Sequence, residues 1–340
     1  MKINKIKCSL IVSSLTLFAF FVFYGNAAAL TISPARIEVS GDPGTTVTKD
    51  ITLFNDSKTA EEKFYVSYSN FEAQGETGSP LFVEPKSDLG TWMKTDVSSI
   101  VLAPNETKTV SLKISIPKDA YAGGHFAVVF FGDNPSGGQI SVGAKTGTLI
   151  LLSVNGDVLE AGGLVSFNTL NHKLFYNSLP VSFEYRWKND GNDRVKPEGN
   201  ISIHDMLYIP VDHVDANSVS GNVLPHSTRL FNMDWSKAKI SDDSKLKTPD
   251  NSFFGRVSYQ WHNFAMGLYI ANLDLTYGSA INHSSKHTFF IVLPWQLMLI
   301  MLIILTAVFF VGKIILKKYN KYIIEKARGG ISTPSDPSHV

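Results

Sequence analysis

Cysteine is almost absent from this sequence, which contains a single copy, Cys8. We predict that Cys8 lies in a leader segment that is removed, so that the mature protein holds no thiol. That absence excludes a disulfide bond, a thiolate metal site and a cysteine nucleophile. The domains of the mature protein must therefore be stable through their hydrophobic cores alone.

Motifs that arrange catalytic groups are missing as well. The sequence contains no nucleophile elbow, no zinc-protease helix, no phosphate-binding loop and no glycine-rich dinucleotide turn. We therefore predict that the protein is not an enzyme, and we assign it no catalytic residue, no cofactor and no metal. Its function is expected to be binding.

Two polar clusters are the nearest alternatives to that interpretation. The first comprises His204, Asp205, Asp212, His213 and Asp215. These side chains would converge into a metal site if the residues between them formed a hairpin. A strand end and a loop of solvated side chains is the simpler explanation, which we favour. The second cluster, at residues 189–193, offers oxygen ligands for calcium without the spacing of an EF-hand loop, and we favour a hairpin turn there.

The N-terminus has the layout of a secretory signal peptide. Lys2, Lys5 and Lys7 precede an apolar stretch at residues 10–23, and three alanines follow at positions 27–29. A charged region, an apolar region and small residues at a cleavage site are typical of such a signal. We predict a signal peptide at residues 1–29, the alternative being an uncleaved N-terminal anchor.

Near the other end, residues 293–312 form an apolar run without charge, and four lysines lie just beyond it. About 20 residues at a rise of about 1.5 Å each span the hydrocarbon core of a bilayer. Lysine and arginine accumulate on the cytoplasmic side of such helices, and Trp295 suits the interfacial aromatic belt. The pattern predicts a single-pass membrane helix at residues 291–312 and a cytoplasmic basic tail at residues 313–340.

The predicted compartments differ in charge, although the whole sequence is balanced at 31 basic and 30 acidic residues. Many of the basic residues lie in the signal peptide and the basic tail. The part predicted outside the membrane therefore has a net charge of about −6. Such a surface repels polyanions. Nucleic acid is therefore not expected as a partner, and anionic wall polymers are poor general partners.

Alternation of apolar and polar residues predicts that the external part is built of β-strands. Val110, Leu112, Ile114 and Ile116 alternate with polar residues, and residues 181–187 repeat the pattern. Continuous apolar runs at other positions suit strands that are buried between two sheets. Because many short strands are separated by turn signals, the sequence predicts an all-β fold of antiparallel sandwiches.

The length predicts two such domains, at residues 30–158 and 159–290. We expect no amphipathic helix outside the membrane, a solvated loop at residues 236–252 and a linker at residues 282–285. A weak internal repeat supports two domains of similar build. In each half an Asn-Asp-small triplet, at residues 55–57 and 189–191, is followed later by a proline turn that leads into an apolar strand.

Several segments resemble a known family. In the first half these are Ile-Ser-Pro-Ala-Arg at residues 32–36, Asp-Pro-Gly at 42–44, Ile-Thr-Leu-Phe-Asn at 51–55 and Pro-Lys-Asp-Ala at 117–120. They resemble the peptidoglycan-binding domain of WxL-interacting proteins of bacterial surfaces. The second half, with Asn-Asp-Gly-Asn at 189–192 and Leu-Pro-Trp at 293–295, is similar to the companion domain of related membrane-anchored proteins. The pattern of the first domain also occurs in periplasmic pilus chaperones.

The resemblance implies two immunoglobulin-like domains, a C-terminal membrane helix and a role as a surface scaffold that contacts peptidoglycan and a partner protein. We therefore expect a non-enzymatic binding module that is anchored in the membrane. The alternative is an accessory subunit of a transport or secretion complex that works through its helix. Trp92, which follows an Asp-Leu-Gly turn, is the residue that we expect to contact a ligand, with packing at the sandwich edge as its alternative role.

Overall fold

The structure is a computed structural model that describes residues 30–133, 145–236 and 252–329. The predicted signal peptide at residues 1–29 and most of the predicted loop at residues 236–252 lie outside the described residues. The chain divides into two compact units. The first contains the described residues up to Gly163, together with Lys188–Lys196 and Asn222–Arg229, and the second contains the remainder. The predicted domain boundary between residues 158 and 159 stays a prediction.

The first unit is a sandwich of two sheets. Its strands are β1 (Leu30–Ser33), β2 (Arg36–Gly41), β3 (Thr46–Asn55), β4 (Glu62–Gln74), β5 (Ser79–Val83), β6 (Met93–Thr95), β7 (Ser99–Leu102), β8 (Thr107–Ser115), β9 (Gly123–Gly132) and β10 (Lys145–Val154). One sheet has the order β1-β3-β8-β6, and the other has the order β2-β10-β9-β4-β5, with β7 also paired to β4.

Apolar side chains of both sheets form the core between them. Leu53 of β3 and Leu112 of β8 meet Val129 of β9 and Ile150 of β10, and all four are buried. Strand β8 shows the predicted alternation, because its buried residues are Val110, Leu112 and Ile114. Strand β9 is buried along almost its whole length, as the continuous apolar run predicted.

The second unit has a similar build. The strands that lie wholly or for the most part in it are β11 (Gly162–Thr169), β12 (Phe175–Tyr176), β13 (Val181–Asn189), β14 (Glu198–Asp205), β15 (Pro210–Asp215), β16 (Thr228–Trp235), β17 (Gly267–Tyr277) and β18 (Asn282–Val292). They form sheets of order β11-β13-β16 and β12-β18-β17-β14-β15. The prediction of a linker at residues 282–285 is wrong, because these residues pair with β17 along the whole of β18.

Aromatic rings fill the core of the second unit around Phe290 of β18. The ring centroids of Phe183, Tyr269 and Trp235 lie 5.5, 5.5 and 5.8 Å from that of Phe290. Aromatic pairs at such distances add to the stability that burial supplies. Strand β18 is therefore held firmly at the end where the chain leaves the sheet.

Both units are thus β-sandwiches, as the strand pattern predicted, and they are immunoglobulin-like, as the family resemblance implied. Two strand pairs run parallel rather than antiparallel, namely β2 with β10 and β12 with β18. The partners in these pairs are far apart in the chain, so no hairpin turn fixes their relative direction. Alternation within a strand cannot reveal the direction of a neighbour that is distant in sequence.

Three α-helices accompany the strands in the part of the chain that the structure describes. They are α1 (Leu89–Trp92), α2 (Phe253–His262) and α3 (Trp295–Gly329), and a short 3-10 turn lies at Leu170–His172. The expectation of no amphipathic helix before the membrane segment is wrong at α2. The Ser252 side chain caps this helix by accepting a hydrogen bond from the Gly255 N–H at 3.0 Å.

Helix α3 contains most of the apolar run for which the sequence predicted a C-terminal helix. Within it, Trp295–Lys326 is long and apolar enough to cross a membrane, and none of its most apolar window is buried by the rest of the chain. A core helix of a soluble domain would bury one face. Helix α3 instead exposes apolar side chains on all sides, among them Leu302, Leu305 and Val308.

Candidate functional site

Trp92, the residue predicted to contact a ligand, lies at the end of α1 and is half-buried. Its ring packs against the core of the first unit, and its centroid lies 4.6 Å from that of His125. Packing at the sandwich edge is therefore a substantial part of its role. Through this contact Trp92 adjoins a group of polar residues around His125, which the sequence prediction did not include.

His125, in β9, is the centre of that group. Its side chain is fully buried, and its Nδ1 atom pairs with the Asp88 carboxylate while its Nε2 atom lies 2.9 Å from the Tyr121 carbonyl oxygen. Both partners of the ring are acceptors. The Asp88 carboxylate and the Tyr121 carbonyl are therefore the two polar partners of the buried ring.

The backbone of Asp88 is strained. Its φ of 68° and ψ of −164° lie in a region that is used almost only by glycine. Side-chain contacts hold the segment in place, since Asn70 accepts a hydrogen bond from the Gly90 N–H at 2.7 Å and donates one to the Ser87 carbonyl at 2.7 Å. Strain of this kind persists only where the surroundings enforce it, and it is frequent at functional sites.

Tyr121 is the exposed member of the group, with 60% of its surface accessible. Its ring centroid lies 4.2 Å from that of His125, and its hydroxyl lies 3.4 Å from Asp88 Oδ2, to which it donates. Partial burial raises the pKa of Tyr121, and the negative charge of Asp88 raises it further. The phenol is therefore a stable hydrogen-bond donor beside a carboxylate, with one ring face available to a ligand.

A groove of about 540 Å³ opens beside Asp88 and Tyr121. Phe71 and Phe126 supply apolar surface, and Glu72 is one of several charged side chains that line it. A groove with carboxylates and one exposed aromatic ring suits an extended peptide or a sugar that presents hydroxyl or amino groups. Trp92 does not line this groove, so its contribution is to support His125.

The neighbouring strand β5 offers a second mode of contact. Among the described residues β5 lies at the end of its sheet order, and its Leu81 and Phe82 are each 44% exposed. Val83, the last residue of the strand, lines the groove. A strand with an unoccupied edge can pair with an extended segment of another chain through main-chain hydrogen bonds. We call the groove and β5 together the β5 surface.

The predicted histidine-aspartate cluster does form around a hairpin, in which β14 and β15 pair Ser202 with His213 and Ile203 with Asp212. The side chains have other partners, however. Asp212 accepts a hydrogen bond from the Trp235 indole at 2.9 Å, and the His204 ring stacks on Tyr208 at 4.5 Å. Within the described ranges no group of three or more histidine, cysteine, aspartate and glutamate side chains could hold a metal ion.

The second polar cluster is not the hairpin turn predicted from the sequence, because it connects β13 and β14, which lie in different sheets. The Asn189 side chain is buried, accepts a hydrogen bond from the Gly191 N–H at 2.9 Å and donates to the Asp193 carbonyl at 2.7 Å. It also donates to the Val223 carbonyl at 2.9 Å. The role of Asn189 is therefore structural, since its side-chain amide forms hydrogen bonds to three backbone groups.

The other tryptophans before α3 differ in exposure. Trp187 is fully buried, as its alternating row predicted, and Trp235 is fully buried too. Trp261 is 64% exposed at the end of α2. Sequence reasoning missed Asp88, His125 and Tyr121, although a histidine at the start of a continuous apolar run was a usable signal. A buried imidazole requires polar partners, and one of them, Asp88, reaches the ring only through chain folding across 37 residues.

Comparisons with known proteins concern the fold. No protein-family model and no curated protein matches the sequence. Similar solved structures include the class 5 fimbriae chaperone CfaA, with 12% identity and a TM-score of 0.37 over 78% of this chain and 100% of that chain. The E. coli chaperone DraB has 8% identity and a TM-score of 0.33 over 78% and 97%.

A third similar structure is the CsuC–CsuE chaperone-tip adhesion subunit pre-assembly complex from the archaic chaperone-usher Csu pili of Acinetobacter baumannii. Its identity is 13% and its TM-score is 0.32, over 60% of this chain and 90% of that chain. We draw no inference about function from similarities of this size.

Proposed function

We propose that this chain is a non-enzymatic surface protein, anchored in the cell membrane by α3, that binds a protein partner outside the cell through the β5 surface. The observation that carries the proposal is the apolar helix Trp295–Lys326, whose most apolar window the rest of the chain leaves unburied and which continues directly from the second sandwich. Such a helix has no stable place in water, so a bilayer is its natural surrounding.

The β5 surface supports a protein partner. Leu81 and Phe82 expose apolar side chains on an edge strand, and pairing along that edge needs no special side chains in the partner. The strained Asp88 backbone and the contact of its carboxylate with the buried His125 ring stiffen the adjoining groove. A rigid groove beside an exposed strand loses little conformational entropy on binding.

A cell-wall glycan is a second candidate ligand, and the exposed ring of Tyr121 favours it because flat rings pack against sugar faces. The resemblance to WxL-interacting proteins agrees with both ligands and stays a prediction. An acidic exterior disfavours anionic wall polymers, so the glycan would be bound through neutral or amino groups.

Site-specific photocrosslinking in living cells tests the proposal. A photoreactive phenylalanine analogue replaces Phe82, Tyr121 or, in α3, Val308. We expect cross-links to a partner protein from positions 82 and 121. If cross-links form only from position 308, the partner is bound through the membrane helix, and the alternative of an accessory subunit of a transport or secretion complex replaces the binding module.

Sedimentation of the detergent-solubilised full chain with purified peptidoglycan tests the glycan candidate. We expect Tyr121→Ala to reduce retention several-fold, since it removes the exposed ring of the groove. Tyr208→Ala is the matched control, because Tyr208 is 61% exposed and lies in the second unit. Equal retention of the two variants, or none of the unsubstituted protein, would rule out glycan binding at this groove.

A further inference from the structure

The second unit reaches α3 with almost no linker. Strand β18 ends at Val292 and α3 begins at Trp295, so two residues connect them. Backbone bonds fix even these, because the Leu293 N–H donates to the Tyr176 carbonyl at 2.7 Å and the Met298 N–H donates to the Pro294 carbonyl at 3.0 Å. If α3 crosses the membrane, as proposed above, the end of the unit from which it leaves lies at the bilayer surface.

Helix α2 is locked to the first turn of α3. The Gln260 side chain donates to Gln296 Oε1 at 2.5 Å and accepts from the Leu297 N–H at 3.0 Å, and both glutamines are buried. The ring centroids of Phe253 and Trp295 are 6.3 Å apart. Buried polar pairs of this kind are costly to break, so α2 keeps a fixed position beside the start of α3.

The outward face of α2 carries two exposed aromatic side chains, with the exposed Ser258 between them in sequence. Phe254 is 74% exposed and Trp261 is 64% exposed, and they lie on one face because seven residues make about two helical turns. Trp261, Met266, Leu293 and the first turns of α3 as far as Leu305 line an apolar groove of about 930 Å³. This groove continues without interruption onto the surface of α3, so one apolar environment would cover both.

A hairpin carries four more exposed apolar residues to the same end of the unit. Asp205, the last residue of β14, pairs with Tyr269, and Gly267 at the start of β17 pairs with Val292. Strand β14 therefore runs toward the end of the sheet from which α3 leaves. Its turn at residues 206–209, Met-Leu-Tyr-Ile, has exposures between 54% and 71% and extends beyond that end.

Side chains of the kind found at bilayer surfaces accompany these apolar groups. Trp261 and Trp295 are tryptophans on the rim of the apolar groove, and tryptophan is enriched at the headgroup level. On another side of the α2–α3 junction, Lys173 and Arg256 line a polar pocket of about 500 Å³ together with Gln296. Cationic side chains at this level attract anionic headgroups.

We propose that this end of the second unit is a lipid-binding platform. The turn at residues 206–209 and the outward face of α2 enter the interfacial layer of the leaflet where α3 begins, and acyl chains fill the apolar groove. The occupant is bilayer lipid, because the groove is continuous with the proposed membrane-spanning surface of α3. The domain would then rest on the membrane in one orientation. This inference rests on the proposed anchoring by α3.

Spin-label accessibility in the reconstituted full chain tests the platform. In a Cys8→Ser background, nitroxides are attached through Leu207→Cys and Phe254→Cys, in vesicles of phosphatidylcholine and phosphatidylglycerol. Collision rates are measured with oxygen, which concentrates in lipid, and with a water-soluble nickel chelate. We expect the ratio of oxygen to chelate collisions at both positions to exceed that of a water-exposed control several-fold.

The control is Val219→Cys, and a lipid reference is Val308→Cys in α3. Val219 is 73% exposed and follows Ala216, whose N–H donates to the Gly199 carbonyl. Gly199 pairs with Leu275, eight residues along β17 from Gly267, so Val219 lies near the opposite end of the sheet, roughly 26 Å away along the strand.

Three results would overturn the platform. Chelate access at positions 207 and 254 equal to that at 219, with position 308 shielded, refutes the platform and leaves the anchoring by α3 intact. Chelate access at position 308 as well refutes the anchoring and the platform together. Shielding of positions 207 and 254 from both reagents, with dipolar broadening between labels, would show that a second copy of the chain covers this surface.

Discussion

At the scale of single residues, two buried asparagines explain the internal repeat. The two N–H groups of the Asn55 amide are shared among the carbonyls of Ala60, Leu102 and Ala103 at 3.0–3.1 Å, and its oxygen accepts from the Ser57 N–H. Asn189 makes the corresponding bonds in the other half of the chain, including one to the Val223 carbonyl. In both halves the asparagine forms hydrogen bonds between a strand end and the residues that precede the proline turn. This explains why the Asn-Asp-small triplet and the proline turn occur together in each half.

We predict that Asn55→Asp destabilises the first unit by about 3 kcal/mol, because a carboxylate that faces three carbonyl oxygens replaces a donor. Hydrogen exchange of the β3 and β8 amides measures the loss. Asn105→Asp is the matched control, since Asn105 lies in the adjoining turn and is exposed, and it should change the free energy by less than about 0.5 kcal/mol. Equal effects of the two substitutions would contradict the anchoring role.

The contact between the Asp88 carboxylate and the His125 ring permits a second prediction. In a double-mutant cycle of Asp88→Asn and His125→Gln, we expect a coupling energy of about 1–3 kcal/mol, because the His125 side chain is fully buried. Thermal unfolding of the four proteins measures it. If the losses of stability in the two single variants sum to that of the double variant within about 0.5 kcal/mol, the two side chains act independently.

The candidate site shows what sequence patterns leave undetermined at this scale. Trp92 could be selected because a turn precedes it and tryptophan is a frequent contact residue. Asp88 could not be paired with His125, since 37 residues separate them and only strand packing brings them together. Tyr121 lies only four residues before His125, but its contact with Asp88 depends on the same packing. The positive φ of Asp88 has no sequence signal, because glycine is the residue expected there.

At the scale of elements, the strands were predictable because one face of each strand is buried and the other is not. The burial pattern of β13 alternates from Val181 to Asn189 as its sequence does. Helix α2 was missed because its apolar residues do not form one clean stripe. Phe253 contacts α3, whereas Phe254 and Trp261 point outward, so tertiary contacts and the Ser252 cap decide its conformation.

For the α2–α3 junction we predict that Gln260→Leu raises the hydrogen-exchange rate of the α2 amides, by an amount that corresponds to about 1–3 kcal/mol. The substitution removes the partner of the Leu297 N–H and of Gln296 at a buried position. Ser258→Ala is the control in the same helix, because Ser258 is exposed. Unchanged protection in Gln260→Leu would mean that ring packing alone holds the helices together.

At the scale of the whole molecule, the distribution of charge and the unburied α3 point to one arrangement. The sandwiches carry the acidic excess, and Lys313, Lys317, Lys318 and Lys321 follow the most apolar part of α3. Placing those lysines in the cytoplasm and the sandwiches outside satisfies the positive-inside rule. This topology stays a prediction, and it can be made from sequence alone because it uses only hydrophobic length and flanking charge.

Cysteine labelling of whole cells tests that arrangement. In a Cys8→Ser background, we predict that Val219→Cys reacts with a membrane-impermeant maleimide in cells whose outer layers have been made permeable to the reagent. Lys321→Cys should react only after the cell membrane is opened, because Lys321 lies in the basic segment beyond the apolar run. Both side chains are exposed, so reactivity reports the compartment rather than burial. Labelling of Lys321→Cys in closed cells would place the basic segment outside. Because α3 is proposed to cross the membrane once, the β5 surface would then lie inside the cell and could not reach an extracellular partner.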